Sequence, residues 1–185
     1  MKNQLLVTAI GEDRPGIVAR LTEIVVRHGA NLEASRMTLL GGEFAAISLV
    51  TVPPEKVEEL EFSLNELTRE GLTIVCKKTT AQPTERFAGY AFYSISLTGA
   101  DHEGIVHKIS SHLRDLNINF QSLDTDIVNA PVTGTPLFTM HAEIAVPANI
   151  SFDTLSKDLA RLADQEAVEI DLLSSSFIEG EMIRL

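Results

Sequence analysis

The stretch GEDRPGIVARL, residues 11–21, returns as GADHEGIVHKI at residues 99–109. Asp13, Gly16, Ile17 and Val18 recur as Asp101, Gly104, Ile105 and Val106, each 88 positions later. A repeat at a fixed offset is the signature of a duplicated structural unit. The residues on either side of the two turns indicate what that unit is.

Before the first turn, LLVTAIG is a short β-rich run. After it, Ile17, Val18, Leu21, Ile24 and Val25 recur with helical spacing. Pro15 suits the first turn of that helix, Asp13 suits its N-cap, and Gly29 suits a left-handed stop. NLEASRMTLL and EFAAISLVTV then read as two strands joined through Gly41-Gly42, a hairpin dipeptide. A second helix begins at Pro53-Pro54, carries Val57, Leu60, Leu64 and Leu67 on one stripe, and ends at Gly71. LTIVCKKT is a fourth strand.

The second copy repeats this order. AFYSISLTG alternates as a strand. Ile105, Val106, Ile109, Leu113 and Leu116 form a helical stripe, and Asn117 takes the place of Gly29. Asn is the next residue most willing to turn left-handed. LFTMHAEIAV alternates strictly, with Phe138, Met140, Ala142, Ile144 and Val146 on one face. The offset rises to 94 by Phe138, so about six residues enter the hairpin that reads IVNAPVTGTP. A helix with Leu155, Leu159 and Leu162 and a strand AVEIDLLS complete the copy. Each copy is thus β-α-β-β-α-β, the split βαβ pattern of an α+β ferredoxin-like fold with a four-stranded antiparallel sheet. The expected division is 1–80 for the first domain, 81–90 for a linker, 91–175 for the second domain and 176–185 for a tail.

Composition narrows the function. The 185 residues are 44% hydrophobic with a formal net charge of -11, and the mean hydropathy is +0.11. Residues 1–85 carry 9 basic against 12 acidic side chains, and the remainder 6 against 14. Neither half offers the basic surface that nucleic-acid phosphates require, so direct DNA or RNA binding is not expected. No apolar run is long enough for a membrane span, and the opening residues lack a cleavable leader pattern. Cys76 is the single cysteine and reads as a small hydrophobe. A cytoplasmic location follows as an expectation.

Catalytic and metal patterns do not emerge. GEDRPG has phosphate-loop glycine spacing but is followed by Ile17-Val18 rather than Lys-Ser/Thr. His102 and His107 are five residues apart, about 140° on a helix, which does not make a zinc pair. His107 and His112 read as surface residues. Asp124 and Asp126 share a strand face that reads as solvated. No catalytic residue, metal ligand or cofactor is expected.

The turn itself suggests a binding site. A helix start is electropositive and offers free N–H groups to a carboxylate. Gly16 or Gly104 would let a ligand approach the backbone, although each could instead serve close helix–sheet packing. Asp13 or Asp101 could hold an ammonium group, unless they are only caps. Asn31 and Asn119, again 88 apart, would add an amide on the strand beside the turn, unless they are only turn formers.

DRPGIV at residues 13–18 with Asn31, and the less close DHEGIV at residues 101–106 with Asn119, resemble the ACT domain, a family of small regulatory modules that bind amino acids. Glu103 departs from the family's proline. Two such copies in one chain of this length are similar to the glycine cleavage repressor family. That resemblance implies a non-catalytic sensor of a small amino acid, glycine first, acting through a protein partner such as a DNA-binding activator. The ligand residues it implies are Asp13, Arg14, Gly16, Ile17 and Asn31 in the first copy, and Asp101, His102, Gly104, Ile105 and Asn119 in the second. A homodimer is expected. The alternative is a regulatory subunit that conveys amino-acid feedback to a metabolic enzyme.

Overall fold

The computed structural model describes residues 3–79, 87–130 and 133–174. The chain divides into two compact units, residues 1–82 and 83–185. The tail expected at 176–185 lies outside the described residues, as does most of the linker.

In the first unit β1 (Asn3–Glu12) leads to α1 (Ile17–Arg27), then the hairpin β2 (Asn31–Leu40) and β3 (Glu43–Val52). α2 (Val57–Asn65) follows, with a 3-10 turn at each end, and β4 (Thr73–Thr79) closes the unit. The sheet order is β2-β3-β1-β4, and every neighbouring pair is antiparallel. The second unit repeats this as β5 (Ala91–Ala100), α3 (Ile105–Asp115), β6 (Asn119–Asn129), β7 (Pro136–Val146), α4 (Phe152–Glu166) and β8 (Val168–Ser174). Its sheet order is β6-β7-β5-β8. Both units are the ferredoxin-like α+β fold expected from the repeat.

Each core is the meeting of two periodicities. Leu5, Val7 and Ala9 point inward from β1 at period two, while Ile17, Leu21, Ile24 and Val25 face them from α1 at helical period. Val57, Leu60, Leu64 and Leu67 add the α2 stripe. In the second unit Met140, Ala142, Ile144 and Val146 of β7 pack with Ile105, Ile109 and Leu113 of α3. Gly41 and Gly42 both take positive φ, 62° and 88°, as the two-residue hairpin requires.

Three details differ from the sequence reading. α1 begins at Ile17, so Pro15 lies before the helix, and the N-cap is Gly16 rather than Asp13. Asp13 instead donates its backbone N–H to the Gly42 carbonyl at 3.1 Å. His112 is not a plain surface residue. It stands 88 positions after the buried Ile24, and its Nε2 is buried without a hydrogen-bond partner.

The end of the second helix shows how the copies diverged. Gly71 turns left-handed at φ 89° before β4, and Ala167 takes the same role before β8 at φ 52°. An alanine there is strained by its Cβ. Ala167→Gly should therefore stabilise the chain by about 1 kcal/mol, and Gly71→Ala should destabilise it by a similar amount, read by urea unfolding. His112→Ile should also raise the melting midpoint. It removes an unsatisfied buried nitrogen and restores the side chain of the first copy, for a gain of about 1 kcal/mol.

Candidate functional site

Gly16 and Gly104 adopt φ 99° and 90°, and neither helix start has a side-chain cap. The first N–H groups of α1 and α3 thus lack both an intrahelical partner and a capping side chain. A Cβ built on Gly16 or Gly104 meets nothing within 4 Å. These glycines are therefore required by backbone conformation and leave open space beside the helix start.

Close packing falls to a different pair. A Cβ on Gly11 would lie 2.6 Å from the Gly71 carbonyl oxygen, and one on Gly99 would lie 2.5 Å from Val168 Cγ1. The last turn of each central strand is thereby pressed against the junction between the second helix and the last strand. That approach delivers residues which the sequence reading did not single out.

In the first unit, Arg14 Nη2 donates to the Glu70 carbonyl at 2.7 Å and lies 3.6 Å from Glu70 Oε2. Arg20 Nε donates to Glu70 Oε1 at 3.3 Å. Arg20 is also held by Glu23 at 2.9 Å, and Glu23 by Arg27 at 2.5 Å. The hydrogen bonds that Arg20 donates to Glu23 and then to Glu70 keep its guanidinium firmly charged. Arg20 in turn, with Arg27, holds the Glu23 carboxyl below its ordinary range. Arg14, Pro15, Gly16, Arg20, Glu70 and Leu72 line an open cleft of about 340 Å³.

The second unit builds the same constellation from other side chains. His102 Nε2 lies 3.2 Å from the Glu166 carbonyl oxygen, and Lys108 Nζ donates to Glu166 Oε2 at 2.6 Å. His102 and Lys108 stand 88 positions after Arg14 and Arg20. Glu166 precedes the left-handed Ala167 as Glu70 precedes the left-handed Gly71. The signal in the sequence was this pairing of Arg14 or His102 in each turn with a glutamate just before each final strand.

The sequence-derived site is only partly assembled. Asp13, Arg14, Gly16 and Ile17 lie together at the first turn, and Asp101, His102, Gly104 and Ile105 at the second. Asn31 and Asn119 do not join them. Asn31 pairs with Thr51, at the Gln4 end of β1, whereas the turn follows Gly11, which pairs with Phe44. Seven residues of strand, about 23 Å, separate the two ends. Asn119 pairs with Ala145, which lies opposite Phe92 of β5, and is equally remote from its turn. The helix between turn and asparagine carries the chain to the far end of the sheet.

Among the described residues, no group of three His, Cys, Asp or Glu side chains could hold a metal ion. No described helix is long and apolar enough to cross a membrane.

With this fold and turn in place, comparison with known proteins assigns the class. Residues 3–77 match the ACT domain family, and the second unit repeats the same strand order, so the chain is built as two ACT-type units. It is 34% identical over 102 residues to the glycine cleavage system transcriptional repressor of Escherichia coli strain K12, covering 55% of this chain. The match spans about half, 54%, of that relative's length. It is also 38% identical over 65 residues to a UPF0237 protein of Methanopyrus kandleri, covering 35% of this chain and 67% of that one. A crystal structure of an unknown protein from Galdieria sulphuraria aligns with a TM-score of 0.77 at 29% identity, over 94% of this chain and 99% of that one. That likeness extends over residues of both units.

Cys76 is half-buried against the first core. Burial, and then the charge of Glu61, push its thiol up to about 11. At pH 8 the thiolate is then about a hundredfold scarcer than for a thiol at the ordinary 9.0. Its greater intrinsic nucleophilicity recovers only part of that loss. Alkylation of the folded chain by iodoacetamide should run at least tenfold slower than that of the unfolded chain, as followed by mass spectrometry.

Proposed function

We propose that this chain is a non-catalytic regulator that senses a small amino acid, glycine first, and acts on transcription through a protein partner. The observation that carries this reading is the uncapped, left-handed glycine at the first helix start, open to a cleft flanked by two arginines. An α-amino acid presents a carboxylate that suits the electropositive helix start. Its ammonium group would meet Asp13. Ile17 lines the same cleft and favours a small side chain over a large one.

The likeness to a glycine cleavage system transcriptional repressor supports glycine as the first ligand to try. The acidic composition supports action through a protein rather than on DNA. The ligand set of the proposal is Asp13, Arg14, Gly16 and Ile17, with Asp101, His102, Gly104 and Ile105 as the second turn. The asparagines are left out because each lies at the wrong end of its own sheet. Two chains associating as a homodimer belong to the same proposal.

Thermal unfolding in the presence of each of the twenty amino acids tests the ligand. A true ligand at one hundred times its dissociation constant should stabilise the chain by about 2.7 kcal/mol. The absence of any shift at millimolar concentrations would refute the proposal. The first turn should be the stronger site, because His102-Glu103 replaces Arg14-Pro15 with a less cationic and less rigid pair. Gly16→Val should lower affinity more than Gly104→Val. Affinity capture from extract should return a DNA-binding activator, and capture of a biosynthetic enzyme would point to the feedback subunit instead.

A further inference from the structure

Basic side chains beside each turn, Arg14 and Arg20 in the first unit and Lys108 in the second, already hold a carboxylate, and it belongs to the protein. We propose that Arg14 and Arg20 form a carboxylate-binding subsite whose resident occupant is Glu70, and that a small-molecule carboxylate binds by displacing it. Glu166 fills the equivalent subsite, its carboxylate on Lys108 and its backbone carbonyl beside His102. This inference rests on reading the turn as the ligand site, and it adds Arg20 and Lys108 to that site.

Three observations carry it. First, both arginines are anchored independently of the Glu70 carboxylate. Arg14 donates to the Glu70 backbone oxygen, and Arg20 is pinned by Glu23. They stay in place when that carboxylate swings away. Second, the Glu70 side chain is 39% exposed and its ion-pair distances are 3.3 and 3.6 Å, beside an open cleft. An ion pair of that exposure is weak and cheap to exchange, and a guanidinium fork suits an incoming carboxylate as well as the resident one. Third, the arrangement recurs in the second unit with different side chains, His102 on the Glu166 carbonyl and Lys108 on its carboxylate. Two copies have kept a glutamate at this junction while the groups that hold it changed from arginine to histidine and lysine.

The copies differ in how firmly the occupant is held. Glu166 has only 10% of its side chain exposed and sits 2.6 Å from Lys108. The second subsite is therefore closed more tightly, and an external carboxylate enters the first one more readily.

The test is an amide NMR titration of the full chain with sodium acetate and, separately, glycine, against sodium chloride at equal ionic strength. The Ile17 and Val18 amides report the first subsite, and those of Ile105 and Val106 the second. Glu70→Gln should tighten acetate and glycine binding about three- to fivefold at Ile17 and Val18, the range expected for loss of an exposed competing ion pair. It should leave the second subsite unchanged. Glu66→Gln, on the same helical segment but paired with Arg69, should change neither. Glu166→Gln gives an independent reading in the other unit and should produce the larger gain there. Retained spectral dispersion shows that each variant folds.

Unchanged or weaker acetate binding in both variants overturns the inference. Weaker glycine binding with unchanged acetate binding also overturns it, since Glu70 would then be a partner of the ligand's ammonium. Acetate binding that tightens in the variants, with no amino acid binding any form, leaves the subsite standing and removes the amino-acid sensor reading.

Discussion

The structure depends on a steric constraint at the end of each central strand. Gly11 and Gly99 have no room for a Cβ, because the junction between second helix and last strand is pressed against them. That contact sets the height at which the first turn leaves the sheet. It brings Arg14 to the Glu70 carbonyl and His102 to that of Glu166. Without it, the turn would be an ordinary connection between strand and helix. With it, the turn, the helix start and an acidic residue from the far end of the unit form one cluster.

Duplication preserved that cluster and relaxed other parts of the structure. The outer face of the first sheet carries Leu6, Ile10, Ile47, Leu49 and Val75, by the register of its strands. Ile10, Ile47 and Val75 are exposed there. The corresponding face of the second sheet carries Ser94, Ser96, Asp124, Asp126, His141 and Asp171. One copy thus presents an apolar sheet and the other an acidic one. The net charge of the second half of the sequence is the trace of that divergence.

Most of the fold was legible because its signals are local. Alternation in β7, the helical stripes and the paired glycines of the first hairpin each speak for themselves. Asn117 was readable as a helix stop because left-handed tolerance is a property of one residue, and its φ of 55° follows. The helix start was harder. Asp13 and Gly16 both suit a cap, and the three-residue difference is decided by whether the backbone turns left-handed at the glycine. The position of Asn31 could have been derived. A strand that follows a helix begins where the helix ends, which is far from where it began. Glu70 and Glu166 were beyond local reading. They lie 56 and 64 residues from the turns they meet, and only tertiary packing joins them.

That separation along the chain has a consequence for the order of assembly. A ribosome that has delivered β1, α1 and the first hairpin has made the turn but not its acidic partner. The cluster is complete only with the segment that leads into β4, the last element of the unit in chain order. Until then Arg14 lacks its Glu70 partner, and Arg20 has only its helix neighbour Glu23. The cleft beside the turn is therefore a property of the completed unit alone, and a chain interrupted before Glu70 and Leu72 carries the sequence motif without the cleft.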